Sequence, residues 1–233
     1  MALGGKVLDY ELERKRVKNI NLRVRRDGSV YVSASPRVPL AQIEAFLRSQ
    51  ADRILAAKAR FTAAEELRYE TGDRVPVWGR FVPLRVLAGA KNTAVFDGET
   101  LTLTVKDPGD PDLKRRTLEA WQRRECEAAL TALCRRYHPH FAAYGVAFPT
   151  LRFQKMRSRW GSCRPQKGAL SFNTRLAEAP PACAEYVAVH ELAHFLQPNH
   201  SPTFYEEVER VLPDWEERRA LLRQWERETL IET

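Results

Sequence analysis

Long apolar runs are missing from this 233-residue sequence. No stretch of about 18 uncharged apolar residues occurs, so no membrane-spanning helix is expected. The opening Met1-Ala2-Leu3-Gly4-Gly5-Lys6 has no apolar segment of the kind that precedes secretion. Cysteine is scarce: the four, at 126, 134, 163 and 183, form no CxxC pair. That excludes a disulfide framework and a structural zinc ribbon and points to reduced thiols. No repeat or low-complexity tract is visible. These absences together lead to the expectation of a cytoplasmic protein without membrane partners. What remains is a globular composition, 44% hydrophobic and 29% charged, in a chain long enough to bury a core without disulfide staples.

The net charge of +8 is uneven. Residues 1–60 hold 13 Lys or Arg against 6 Asp or Glu, whereas residues 201–233 hold 5 against 9. A basic front could meet nucleic acid or another polyanion, or could simply be a solvated face.

Alternation in Ile20–Arg25 and Val30–Ala34 around Asp27-Gly28 predicts a β-hairpin. Helical spacing of Ile43, Phe46, Leu47, Ile54 and Leu55 predicts an amphipathic helix from Leu40 to about Glu66. More hairpins follow, one around Asp97-Gly98. Two prolines and a glycine in Lys106–Pro111 suggest a linker, hence a β-rich N-terminal accessory region at 1–108 and a catalytic domain at 109–233. Residues 112–137 read as a helix ended by Pro139. Leu151–Met156 and Leu170–Leu176 read as strands joined by an irregular connection through Gly161, Pro165 and Gly168. Helices near 181–197, 201–212 and 214–230 complete the chain, with Pro181, Pro202 and Pro213 near their starts. The fold class is α+β.

Chemistry concentrates in His190-Glu191-Leu192-Ala193-His194-Phe195-Leu196-Gln197-Pro198-Asn199-His200. On a helix, His190 and His194 project from one face about 40° apart, close enough to share a metal ion. Tyr186, Val189, Leu192, Ala193 and Leu196 form a separate apolar stripe. The chain has five histidines, and three fall in this window. Pro198 and Asn199 end the helix, so the chain can turn back and offer His200 as third ligand. Glu206 or Glu207, on the following helix, is the rival third ligand. The interval from His194 to His200 is that of metzincins, but Gln197 stands at their turn glycine and no methionine follows, so a metzincin proper is excluded. Three imidazoles suit Zn²⁺ and leave a fourth position for water. Glu191 would take that water's proton as general base during hydrolysis of a peptide or amide bond.

With these residues in view, the chain resembles the YgjP-like metallopeptidase family, related to the WLM and SprT-like zincins. The resemblance rests on Lys155–Cys163, Leu170–Asn173, His190–His194 and Asn199–Ser201, and more weakly on Leu22–Arg25 and Asp27–Val30. It implies a small zincin-like core in which His190, His194 and His200 bind the metal and Glu191 activates water. It supplies no substrate.

Arg159, Trp160 and Ser162 are candidates to contact substrate or support the metal ligands, and Asn173 is placed with them. The alternative makes Trp160 a core anchor, Gly161 a turn residue and Cys163 a buried apolar group. Cys163 is a weaker ligand candidate, since a fourth protein donor would close the site to water. The strand Leu170–Leu176 is a candidate for pairing with an extended substrate. His138 and His140 read as helix-terminus or surface residues. Three functions remain in play: a zinc-dependent peptidase acting on polypeptides, a DNA-associated SprT-like protease tethered by its basic N-terminal region, and a non-catalytic zinc-binding interaction module.

Overall fold

The computed structural model describes residues 2–3, 6–24, 29–55, 68–156 and 158–229. Contacts divide the chain into two compact units, Met1–Arg68 and Tyr69–Thr233.

In the first unit, β1 (Ala2–Leu3) pairs with β2 (Lys6–Val7). β3 (Tyr10–Arg14), β4 (Asn21–Val24) and β5 (Val30–Ala34) form a sheet in the order β3-β5-β4. β4 and β5 are antiparallel with Val24 opposite Val30, as the alternation predicts; the expected turn at Asp27-Gly28 lies outside the described residues. The parallel pairing of β3 with β5 has no local sequence signal. Val30, Val32 and Ala34 of the central strand are buried with Ile43, Leu47 and Ile54. α1 covers Leu40–Ser49, and its last turn closes when the Gln50 N–H reaches the carbonyls of Phe46 and Leu47. Helix resumes at residues 51–55, so the long helix expected from Leu40 is interrupted at Gln50. The rest of that span, 56–67, lies outside the described residues.

The second unit opens with β6 (Arg74–Val77), β7 (Arg80–Ala88), β8 (Thr93–Phe96) and β9 (Leu101–Val105), ordered β6-β7-β9-β8. The β6–β7 turn places Trp78 at φ +46° and Gly79 at φ +84°, the paired positive angles of a two-residue hairpin turn whose twist matches its strands. Its N–H groups donate to the carbonyls of Ala177 and Glu178 at 2.9 Å each. The expected linker at 106–111 is instead the entry to α2 (Pro111–Ala142), where Asp110 Oδ1 accepts the Leu113 N–H at 3.0 Å and Pro111 sits where its missing N–H is harmless. This 32-residue helix, about 48 Å long at ~1.5 Å per residue, serves two cores. Leu118 and Trp121 pack on β6–β9, and Cys126, Leu130, Cys134 and Phe141 pack on the elements that follow. That double packing keeps the elements on both sides of the expected boundary within one compact unit.

Pro139 does not end α2. The helix continues to Ala142 with Phe141 fully buried. It closes at Gly145, φ +83°, whose N–H reaches the Ala142 carbonyl at 2.9 Å. The apolar anchor of the last turn outweighs one lost hydrogen bond.

β10 (Thr150–Gln154), β11 (Gly161–Arg164) and β12 (Ala169–Asn173) form a sheet in the order β10-β12-β11. β10 is parallel and β11 antiparallel to β12. Phe153, Leu170 and Phe172 line its core face, with the rings of Phe153 and Phe172 stacked at 6.0 Å. Two sequence expectations change here. Gly161–Arg164 is a strand rather than part of an irregular connection, its period-2 signal hidden by glycine and short polar residues. The strand at 170, proposed to pair with substrate, lies in the centre of the sheet, both its edges taken, and ends at Asn173 in a 3₁₀ turn over Thr174–Ala177. α3 (Pro181–Ala193), α4 (Pro202–Val211) and α5 (Trp215–Thr229) follow. No helix among the described residues is long and apolar enough to cross a membrane.

Candidate metal centre

α3 is the central helix of the second unit. The sequence suggests one apolar stripe with the histidines on another face, but Cys183, Ala184, Val187, Ala188, Val189 and Leu192 are all buried, enclosed by α2, α5 and β11. Helical structure stops at Ala193 with His194 as the capping residue, short of the expected end near 197. Three tightening hydrogen bonds then turn the chain: Phe195 N–H to Leu192 O, Leu196 N–H to Ala193 O, and Gln197 N–H to Ala193 O. Beyond Pro198-Asn199 the chain returns, and Ser201 caps α4 by accepting the Phe204 N–H on Oγ.

This path brings the three imidazoles of His190, His194 and His200 together, with one ligand atom from each within 4.8 Å of the others. His190 and His200 approach, Nε2 to Nε2, to 3.0 Å. Two nitrogens that each lie ~2.0–2.1 Å from one zinc ion are roughly 3.3 Å apart in a tetrahedral site, so the donors fit such an ion. The second nitrogens of His190 and His194 are engaged: Tyr186 Oη lies 3.3 Å from His190 Nδ1, and the Gln197 carbonyl lies 3.1 Å from His194 Nδ1. Such partners fix the ring orientation and leave Nε2 free to coordinate. Phe204, fully buried, forms the floor, its ring 4.9, 4.6 and 4.9 Å from those of His190, His194 and His200.

Electrostatics keep His190 and His194 in their ligating form. Burial, then the neighbouring His194 and His200 rings and the Arg219 charge, lower His190 to about 3. Burial also lowers His194, against the opposing pull of the Gln197 carbonyl. Neutral imidazole is the form that binds metal.

Glu191 is buried at 5% exposure. Burial raises its carboxyl to about 8, opposed by the Arg159 charge and by the Cys163 N–H, which donates to it. A hydrogen at Gly161 is all that separates it from β11: a Cβ there would lie 2.5 Å from Oε1 and 2.6 Å from Cγ.

The rival carboxylates stand elsewhere. Glu206 is exposed, and Glu207 accepts from Arg210 and faces His140 Nε2 at 3.6 Å. Cys163 is outside the donor group, its thiol raised to about 12 by burial and the Glu191 charge. His138 meets the Val146 carbonyl at 2.9 Å. Trp160 is buried and donates from Nε1 to Glu226 on α5. Ser162 is half-buried and Arg159 exposed. Asn173, fully buried, donates from Nδ2 to the carbonyls of Met156 at 2.9 Å and Arg159 at 3.0 Å; it holds the segment that leads into β11. Sequence reasoning missed Phe204, Tyr186 and the role of Gly161. Tyr186, one helical turn before His190, was within reach of the same spacing argument; nothing local signals the others.

A small mixed sheet, a helix bearing two histidines and a glutamate, and a third histidine from the returning chain together form a group that could hold a metal ion. The family described as YgjP-like, metallopeptidase domain, matches residues 18–225, and the chain belongs to it. No curated protein matches the chain.

Proposed function

We propose that the protein is a zinc-dependent metallopeptidase that hydrolyses peptide or amide bonds with Glu191 as general base. The observation that carries this is the burial of the Glu191 carboxyl beside three converging imidazoles. A purely structural metal site has no use for a carboxyl desolvated at that position. Zinc, held by His190, His194 and His200, would supply Lewis-acid polarisation of the carbonyl and acidification of a water. Glu191 takes the proton of the attacking water as the oxygen–carbon bond forms, and delivers it to the amine nitrogen as the carbon–nitrogen bond breaks. A carboxyl raised towards neutrality is suited to both transfers. The Cys163 N–H, aimed at the carboxylate, and the bare backbone of Gly161 hold it in place.

β11 supports the same reading. It has one strand neighbour among the described residues, and Trp160 O accepts from Asn173 N–H at 2.8 Å. By antiparallel alternation, Gly161 and Cys163 then direct their backbone groups away from β12; the Cys163 N–H is engaged by Glu191, so an extended peptide adding as a further strand would pair through the Gly161 groups and the Cys163 carbonyl.

Metal content and turnover of two variants test the proposal. Glu191→Gln is expected to retain zinc and lose hydrolysis, and His190→Ala to lose both. Unchanged turnover in Glu191→Gln would exclude the mechanism.

A further inference from the structure

Resting on the metallopeptidase reading, we propose that Arg164, at the end of β11, and Arg159, two residues before its start, select substrates that carry an anionic side chain, carboxylate or phosphate, close to the cleaved bond. The argument is one of register and charge. Successive side chains on a strand point to opposite faces. Gly161 and Cys163 share the face that meets Glu191, and Ser162 and Arg164 share the other. A peptide paired along the outer edge of β11 alternates in the same way. Every second residue then projects towards Ser162 and Arg164 instead of towards the histidines.

The surroundings are strongly one-signed. Residues 144–177 contain seven Lys or Arg and no Asp or Glu. Two of these cations are matched from outside the segment, Lys155 by Glu119 at 2.6 Å and Arg175 by Glu178 at 2.8 Å. Arg159 and Arg164 are exposed, and among the described residues neither has a carboxylate in an ion pair. A planar guanidinium offers a two-pronged donor to carboxylate or phosphate. The same sheet face carries Thr150, Arg152, Gln154, Ser162, Arg164 and Ser171, with no aromatic ring on which a nucleobase could stack. That favours an anionic peptide over a single-stranded nucleic acid.

Two measurements on the full chain separate this inference from the reading beneath it. In the first, zinc-loaded protein digests a random peptide library, and mass spectrometry reads the cleaved bonds. Enrichment of Asp, Glu or phosphoserine within about three residues of the cleaved bond, inverted to Lys or Arg in Arg164→Glu, is expected. Cleavage without that preference overturns the inference and leaves the peptidase reading intact. In the second, fluorescence anisotropy of zinc-loaded Glu191→Gln compares three labelled peptides that differ only in carrying Glu, phosphoserine or Lys at alternate positions. At least about tenfold tighter binding of an anionic peptide is expected, lost in the double charge reversal Arg159→Glu/Arg164→Glu. The Glu and phosphoserine arms distinguish the two anions. Equal binding of all three overturns the inference, as does displacement by a single-stranded oligonucleotide that binds more tightly than either anionic peptide. Anionic preference without any cleavage would retain the recognition surface and refute the hydrolase.

Discussion

Gly161 and Glu191 occupy one space: a methyl group on the glycine would fall 2.5 Å from the Oε1 oxygen of the glutamate and 2.8 Å from its carboxyl carbon. β11 and α3 therefore approach as closely as backbone and side chain allow. Gly161→Ala must push the carboxyl aside or open the gap between β11 and α3. A displacement of about 1 Å at a catalytic group can cost roughly 100-fold in rate. Gly161→Ala is expected to bind zinc as the parent does and to lose at least about 100-fold in kcat/KM. Full activity with stoichiometric metal would show that the contact is dispensable.

The third donor can be settled by metal affinity. His200 lies 3.0 Å from His190 Nε2, whereas Glu207 is held by Arg210 and faces His140. In competition with a chelator, His200→Ala is expected to weaken zinc binding at least about tenfold. Glu207→Gln should leave it within about twofold of the parent. The opposite order would return the ligand to α4.

Much of this centre was legible because its residues are close in sequence. His190, Glu191 and His194 lie within two helical turns, and Pro198-Asn199 announce the return that brings in His200. Equally local signals set the β4–β5 and β8–β9 pairings. The parts that escaped are contacts between distant segments. Gly161 reads as a turn residue until Glu191 of α3, 30 residues later in the chain, is laid against it. β11 is short, half glycine and small polar residues, so neither its existence nor its edge position is visible in its own composition. The signal at Lys106–Pro111 marks the short connection at 106–110 into α2, which begins at Pro111, and Leu118 and Trp121 carry the preceding sheet into the same compact unit.

The Trp78-Gly79 turn anchors that sheet beside the start of α3. Gly79 has φ +84°, and a Cβ there would lie 2.8 Å from Pro180 Cα, the residue that precedes α3. Gly79→Ala therefore meets both backbone strain and a clash with another backbone. A loss of roughly 2–4 kcal/mol in urea unfolding is expected. A loss below about 0.5 kcal/mol would show that the turn yields without cost.

Glu185 joins three helices, accepting from the Tyr137 hydroxyl and Arg136 on α2 and from Arg218 on α5. Burial would raise its carboxyl, but the Tyr137 and Arg218 hydrogen bonds and the Arg218 and Arg136 charges prevail and hold it below its ordinary value of 4.5. A folded-state pKa lower than that of the unfolded chain contributes stability that is fully present above about 4.5 and disappears as pH falls through the folded value. Glu185→Gln keeps the size of the side chain and removes its charge. It is expected to lower unfolding free energy by roughly 1–3 kcal/mol at pH 7. The difference from the parent should shrink steadily as unfolding is repeated at pH values below 4.5. A difference that stays constant across that range would mean that the glutamate acts there by shape alone, without its charge.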